Sequence, residues 1–222
     1  MAILYGRAGQ VLIPDGVEVP LRLGNEGQLI TQRLHARHYE AAKRGALFHA
    51  STTILGLAIP IYTGTAPKVM LFNPLGSGVN AELVSVGINR ASGTTVQFTA
   101  GLMRVPGNVG AGPATGGPVT VFTPDTPDNL KNGLLGFGAV PKVMSQMSGT
   151  ITLAAAGVAG DFFYSIMHSY AAVFSDTPDG GMFVHDFEGR VIVPPGAAIF
   201  LAGSVASVAL YATTFSWVEI PV

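Results

Sequence analysis

Beyond residue 45 the chain alternates short apolar runs with clusters of Gly, Pro, Asn and Ser, a pattern that predicts strands joined by tight turns. Strands are expected at Thr53–Tyr62, Lys68–Asn73, Glu82–Asn89, Thr94–Arg104, Val119–Phe122, Gly149–Ala154, Phe162–Ser169, Gly189–Val193, Ala198–Ala202 and Ser207–Ile220. Apolar and polar residues alternate most clearly in Glu82-Leu-Val-Ser-Val-Gly-Ile-Asn89 and along Thr94–Arg104, as a half-buried strand requires. Turn chemistry separates them at Asn73-Pro-Leu-Gly-Ser-Gly78, Ala91-Ser-Gly93, Val105-Pro-Gly-Asn108, Thr177-Pro-Asp-Gly-Gly181 and Pro194-Pro-Gly196. The Gly- and Pro-rich stretch 109–118 reads as a long loop, and 123–147 as another with room for a helical turn at Asn129–Gly133. Many short strands at regular spacing predict an all-β fold: an antiparallel β-sandwich or jelly roll.

The first 45 residues follow a different rule. Residues 1–30 hold one apolar segment, Gln10-Val-Leu-Ile-Pro14, and Pro14, Gly16, Pro20, Gly24 and Gly27 forbid a long regular element. An extended arm is expected, with a reach of about 100 Å if fully stretched. Residues 31–45 predict the one helix. Thr31 can cap its start and Gly45 its end, and Lys43 and Arg44 suit the negative end of the helix dipole. Leu34, Arg37 or His38, and Ala41 or Ala42 would share a thin apolar face, so this helix needs a neighbour. The organisation is therefore an arm with a helix over 1–45 and a β domain over 46–222. No basic segment followed by an apolar core opens the chain, so no secretory signal is read there.

Composition narrows the function. Charged residues make up 11% of the chain and its formal net charge is -1, against about 25% charged residues in an ordinary soluble domain. With 48% hydrophobic residues, disorder is excluded, and the weak charge gives no electrostatic footprint for nucleic acid. The chain has no cysteine, so no disulfide framework is available. The uncharged stretch Val191–Val218 is long enough for a membrane span, but Pro194-Pro-Gly196 and the β-branched and aromatic residues after Leu210 predict two or three core strands instead. So little charge points to surface reserved for other subunits, with uncharged strands such as Ser207–Val218 at the contacts.

The residues that could carry chemistry fit no catalytic pattern. His35 and His38 share a helix face, but neither His-Glu-x-x-His nor His-x-His occurs, and no metal site or cofactor is expected. His185-Asp186-Phe187-Glu188 reads as lying near a turn, and His49 and His168 as packed or bonded to backbone. No cysteine and no Gly-x-Ser-x-Gly offers a nucleophile. The glycines of Gly107–Gly112 and Gly133–Gly138 run into proline rather than a helix, so they make no phosphate cradle. The repeated Asp125-Thr-Pro-Asp128 and Asp176-Thr-Pro-Asp179 read as turns, ahead of a loop calcium site or paired catalytic carboxylates, and would be recognition loops if the chain binds a glycan or receptor. The concentration of charge at Arg33, Arg37, His38, Lys43 and Arg44 reads as a docking patch for an acidic partner surface.

Three segments carry a resemblance. Gly189-Arg-Val-Ile-Val-Pro-Pro-Gly-Ala-Ala-Ile-Phe-Leu201 with Thr214-Phe-Ser-Trp-Val-Glu-Ile-Pro221, then His38-Tyr-Glu-Ala-Ala-Lys-Arg-Gly-Ala-Leu-Phe48, then Leu71-Phe-Asn-Pro-Leu-Gly-Ser-Gly78, resemble small structural virion proteins of tailed bacteriophages. The resemblance implies a β-sandwich cement or decoration protein without catalytic residues, trimeric on a capsid, whose arm clamps neighbouring capsid or other virion subunits. It implies localisation in the virion, assembled in the host cytoplasm, with no membrane or direct nucleic-acid contact. The alternative is a carbohydrate- or receptor-binding module of a phage tail, fibre or collar; sugar sites use exposed aromatic platforms, and a single tryptophan, Trp217, in a strand next to the C-terminus leans against it.

Overall fold

A computed structural model describes residues 37–93, 97–105, 119–121, 130–132, 140–147, 151–153, 161–169 and 182–222. Contacts divide the chain into two units, Met1–Tyr39 and Glu40–Val222. The first is described only over Arg37–Tyr39. Of the predicted helix, residues 31–36, with its expected cap Thr31, fall outside the described residues. The helical hydrogen bonding covers α1 (Tyr39–Lys43), preceded by a turn at Arg37–His38. Gly45 ends it as the sequence predicts. Its φ is +71°, its N–H donates to the Ala42 carbonyl at 3.0 Å, and the next N–H, of Ala46, reaches back to Ala41 at 2.9 Å. That reciprocal pair is a Schellman cap, whose left-handed residue costs glycine nothing.

The rest is β structure. In chain order the strands are β1 (Leu47–Ser51), β2 (Leu57–Ala58), β3 (Met70–Asn73), β4 (Val79–Ser92), β5 (Phe98–Arg104), β6 (Val119–Val121), β7 (Leu130–Asn132), β8 (Met144–Gln146), β9 (Thr152–Leu153), β10 (Phe162–Ser169), β11 (Met182–Asp186), β12 (Ile192–Val193), β13 (Ala197–Gly203) and β14 (Leu210–Pro221). Two antiparallel sheets pack face to face. One runs β11-β4-β14-β1-β7, with β12 added to β4 and β2 to β14, and the other runs β10-β5-β13-β3-β8. Along the main strands the chain changes sheet at every connection except β5 to β10, which are neighbours within the second sheet. The first strand lies beside the last, β1 against β14, and the second beside the second-last, β3 against β13. This nested pairing is the double Greek key of a jelly roll. The expected all-β sandwich is therefore the observed fold.

Register explains why the core closes. The inward row of β14, Tyr211, Thr213, Phe215 and Trp217, is buried. Phe215 faces Val86 of β4, yet Trp217 faces Leu83, because β4 carries one extra residue between them. That bulge keeps both Val86 and Leu83 pointed inward. Trp217 then stacks on Phe48 of β1 at 6.0 Å between ring centroids.

The central strands of the second sheet, β3, β5 and β13, are buried on both faces. Leu71, Leu102, Ile199 and Leu201 join the central core, while their strand neighbours Met70, Phe72, Met103 and Phe200 pack on the other side with Ile151 and Leu153. Both-sided burial accounts for the unbroken apolar runs of β3 and β13, which no alternation could have produced. At the corner Asn73 is buried, and its Nδ2 donates to the carbonyls of Val79 and Val193, both at 2.8 Å. It ties the end of β3 to the starting end of β4 and to β12.

Several expectations need correction. The strand predicted at Thr53–Tyr62 shrinks to the two residues of β2, and Thr53–Gly56 turns instead. The strand that enters the fold is β1, which lies before the predicted one and pairs with both β14 and β7. The space for a helical turn at Asn129–Gly133 is taken by β7, because β1 offers a free edge there. Ser207–Val218 is not a surface strand held for subunit contacts. From Leu210 onward it forms β14, flanked on both sides by β1 and β4. Val191–Val218 supplies β12, β13 and most of β14, as core strands, and no helix among the described residues is long and apolar enough to cross a membrane.

Candidate functional site

The predicted docking cations are placed as follows. Arg33 lies outside the described residues. Arg37 is exposed and His38 half-buried in the unit that ends at Tyr39, whereas Lys43 and Arg44 are exposed in the unit that begins at Glu40. The Asp125, Asp128, Asp176 and Asp179 loops also lie outside the described residues, as does His35. Among the described residues no three His, Asp or Glu side chains gather as a metal would require.

The fold does bring together groups that the sequence left apart. β10 and β11 are edge strands of opposite sheets, and three rings span the gap between them. His185 Nε2 and the Tyr164 hydroxyl share a hydrogen bond of 2.7 Å. Phe187 packs edge-on against both rings, at 4.8 Å from Tyr164 and 4.7 Å from His185. His185 sits near the end of β11, just before the turn at Glu188–Gly189 as expected, and its partner is a tyrosine of the other sheet. Nothing in the local sequence links residue 185 to residue 164; the link appears only once the two sheets stack. The trio latches the open side of the sandwich.

Below this latch an open cleft of about 360 Å³ is walled by Phe163, Ile192, Val193 and Ile199, with Arg104 and Arg190 at its edges. Both guanidinium groups are already engaged. Arg104 donates through Nε to Asp161 at 3.1 Å, and Arg190 donates to the carbonyls of Phe187 and Asp186 at 3.1 and 3.2 Å. They brace the loop and the strand edge as much as they face the cleft.

His49 is bonded as expected, but to a side chain: its Nδ1 meets the Ser216 hydroxyl at 2.8 Å across the β1–β14 pair. Burial pushes its pKa below the ordinary histidine value. Trp217 is fully buried, with its ring in the core.

The least expected surface lies at one end of the sandwich. Ile54 and Leu55, at the centre of the turn after β1, are 90% and 73% exposed. Val208 and Val205, in the loop before β14, are 69% and 41% exposed. The signal for this patch was present as Gly56, which interrupts the strand pattern directly after two aliphatic residues. A scan of protein-family models, a search of curated proteins and a search of solved structures each gave no match to this chain.

Proposed function

We propose that this chain is a non-enzymatic structural protein of a virion. It binds neighbouring capsid or other virion subunits and stabilises the particle in the manner of a cement protein. It does so as a trimer whose N-terminal arm, with Arg33, Arg37, His38, Lys43 and Arg44, docks on its neighbours. The observation that carries this reading is a jelly roll with little charge and aliphatic side chains held in water together at one end, Ile54, Leu55, Val205 and Val208. Monomers seldom leave such residues in groups, and exposed apolar patches mark contact surfaces. Viral capsid domains are among the proteins built on this fold, along with lectins and cupins, so the fold is compatible with the reading and the exposed aliphatic end favours it. A sugar-binding module would need an exposed aromatic platform; Trp217 lies in the core, and the exposed rings among the described residues are Tyr39, Phe163 and Phe183.

Size-exclusion chromatography with light scattering on the full-length chain tests the proposal. A mass three times 22.9 kDa, or a larger multiple, is expected. A monomer that binds glycans would overturn it. Reversing Arg37, Lys43 and Arg44 to Glu should abolish attachment to particles without changing the oligomer.

A further inference from the structure

The aliphatic end of the sandwich is built, not incidental. β1 is pinned to β14 past its own end, since Thr52 N donates to the Thr213 carbonyl and Thr213 N donates to the Thr52 hydroxyl, both at 2.9 Å. The next four residues close a turn with Gly56 N on the Thr53 carbonyl at 2.9 Å. Gly56 has φ +70° and lies flat on the backbone of Tyr211, where a Cβ would come within 2.6 Å of the carbonyl carbon. The turn is thus fastened before and after Ile54 and Leu55, and these two can only project outward.

The second loop is fastened as well. Ser207 N donates to the Ile59 carbonyl and its hydroxyl to the Ala209 carbonyl, both at 2.9 Å. Pairing of Leu57 with Tyr211 and of Ala58 with Leu210 sets the two loops side by side. Val205 and Val208 therefore extend the surface of Ile54 and Leu55.

The central positions of tight turns favour Asn, Asp, Gly, Pro and Ser, which satisfy the turn's own backbone. Two aliphatic residues there add nothing to the turn and leave apolar area in water. Their stabilisation must come from a surface that covers them. Residues 46–67 and 191–218 contain no Asp, Glu, Lys or Arg. A patch without charge can face its own image without like-charge repulsion, which a basic or acidic patch could not. A lipid surface fits it poorly, because loops and helices that lie on membranes use cations and Trp at the headgroups and these loops have neither. The pinned backbone also has little freedom left to lose on association.

We propose that Ile54, Leu55, Val205 and Val208 form the surface through which copies of this chain associate, around a common axis at this end of the jelly roll. This rests on the reading that the chain self-associates, and names the surface that does it. The test compares three full-length proteins by size-exclusion chromatography with light scattering: wild type, Ile54→Asp/Leu55→Asp, and Leu75→Asp, whose site is exposed at the opposite end. The tip variant should fall to the 22.9 kDa of a single chain, while wild type and Leu75→Asp keep the same multiple of it. Circular dichroism and the melting temperature should match among the three, and Ile54→Ser/Leu55→Asn serves where the charged pair disturbs folding. A tip variant that keeps the wild-type mass overturns this inference and leaves self-association standing. A monomeric wild type overturns both. Sedimentation of wild type, but not of the tip variant, with phosphatidylcholine vesicles would assign the patch to lipid and also overturn it.

Discussion

Replacing Asn73 isolates what a single buried amide does for this fold. The side chain is fully buried and its Nδ2 satisfies two carbonyls at once, Val79 O and Val193 O, each at 2.8 Å. Asn73→Ala removes both donors. Val79 O keeps the Ser77 hydroxyl, which donates to it at 3.2 Å, whereas Val193 O loses its side-chain donor. An orphaned buried acceptor costs about 1–3 kcal/mol, and a loss of that size is expected for Asn73→Ala. Asn73→Asp keeps the shape but offers carbonyl oxygens a carboxylate. At neutral pH it should be less stable than Asn73→Ala despite filling the space better, because an unpaired buried charge is added to the lost donors. Burial beside two carbonyls raises the aspartic acid's folded pKa above the unfolded value of about 3.9. The folded state then holds the proton more tightly, so the Asn73→Asp protein gains stability as pH falls through that raised value. A protonated carboxyl can donate one of the two missing hydrogen bonds, which adds to the recovery. Urea unfolding of both variants at pH 7 and at pH 4.5 checks this, with Asn73→Ala as the reference for all other titrations. Equal stability of the two variants at pH 7, or a gap between them that does not change with pH, would refute the donor role of Asn73.

Three further outcomes follow from the same structure. Trp217→Ala empties the largest buried side chain of the core and removes the stack on Phe48, so urea unfolding should show a loss of about 3–5 kcal/mol. His49 has its pKa lowered by burial, so the unfolded chain takes up its proton first as pH falls; stability should be complete above about pH 6.5 and decline below it, and His49→Gln should flatten that part of a melting-temperature profile between pH 7 and 5. Gly101 of β5 lies so close to the Tyr164 carbonyl of β10 that a Cβ would collide with backbone; Gly101→Ala should separate the two strands and raise amide hydrogen exchange along Phe162–Ser169, whereas unchanged exchange there would show that the strand shifts to make room.

The fold was legible where one face of a strand meets water. The alternation of Glu82–Asn89 placed β4, and the apolar run between Asp161 and Tyr170 placed β10 at its observed bounds, Phe162–Ser169. It was not legible where pairing is decided at a distance. β7, β8 and β11 are short pieces at sheet edges, held by partners 72 to 101 residues away in register, such as Phe72↔Met144, Ala50↔Leu130 and Ser85↔Asp186. A three- to five-residue edge strand needs little propensity of its own when a formed strand offers its donors and acceptors. The latch of Tyr164, His185 and Phe187 was hidden for the same reason, because its members stand on different sheets. The patch at Ile54 and Leu55 was hidden differently. Two aliphatic residues after two threonines read as strand, and only the hydrogen bond from Gly56 back to Thr53 makes them the apex of a turn.

These differences change what the low charge of the chain means. Much of it is used by folding itself. The central strands β3, β5 and β13 of the five-stranded sheet are covered on both faces and leave little room for Lys or Glu, and β14, in the middle of the other sheet, is buried through Phe215–Glu219. The long uncharged stretch Val191–Val218 is therefore mainly a consequence of burial: β13 is buried from Ala198 to Gly203, and exposed aliphatic residues remain in it only at Ile192, Val205 and Val208. Adjacent buried positions in β14 even hold a carboxylate: Glu219 lies at the edge of the core and accepts the Val143 N–H at 2.9 Å, so a charge is admitted where a donor meets it. What burial does not explain is a smaller set, the exposed aliphatic residues at Val184, Ile192 and Ile220 on strands and those on turns and loop tips such as Ile54, Leu55 and Val208. A charge-poor core is what any jelly roll with doubly covered strands needs, whereas Ile54 and Leu55 together in water form the kind of exposed apolar patch that supports the proposed contact surface.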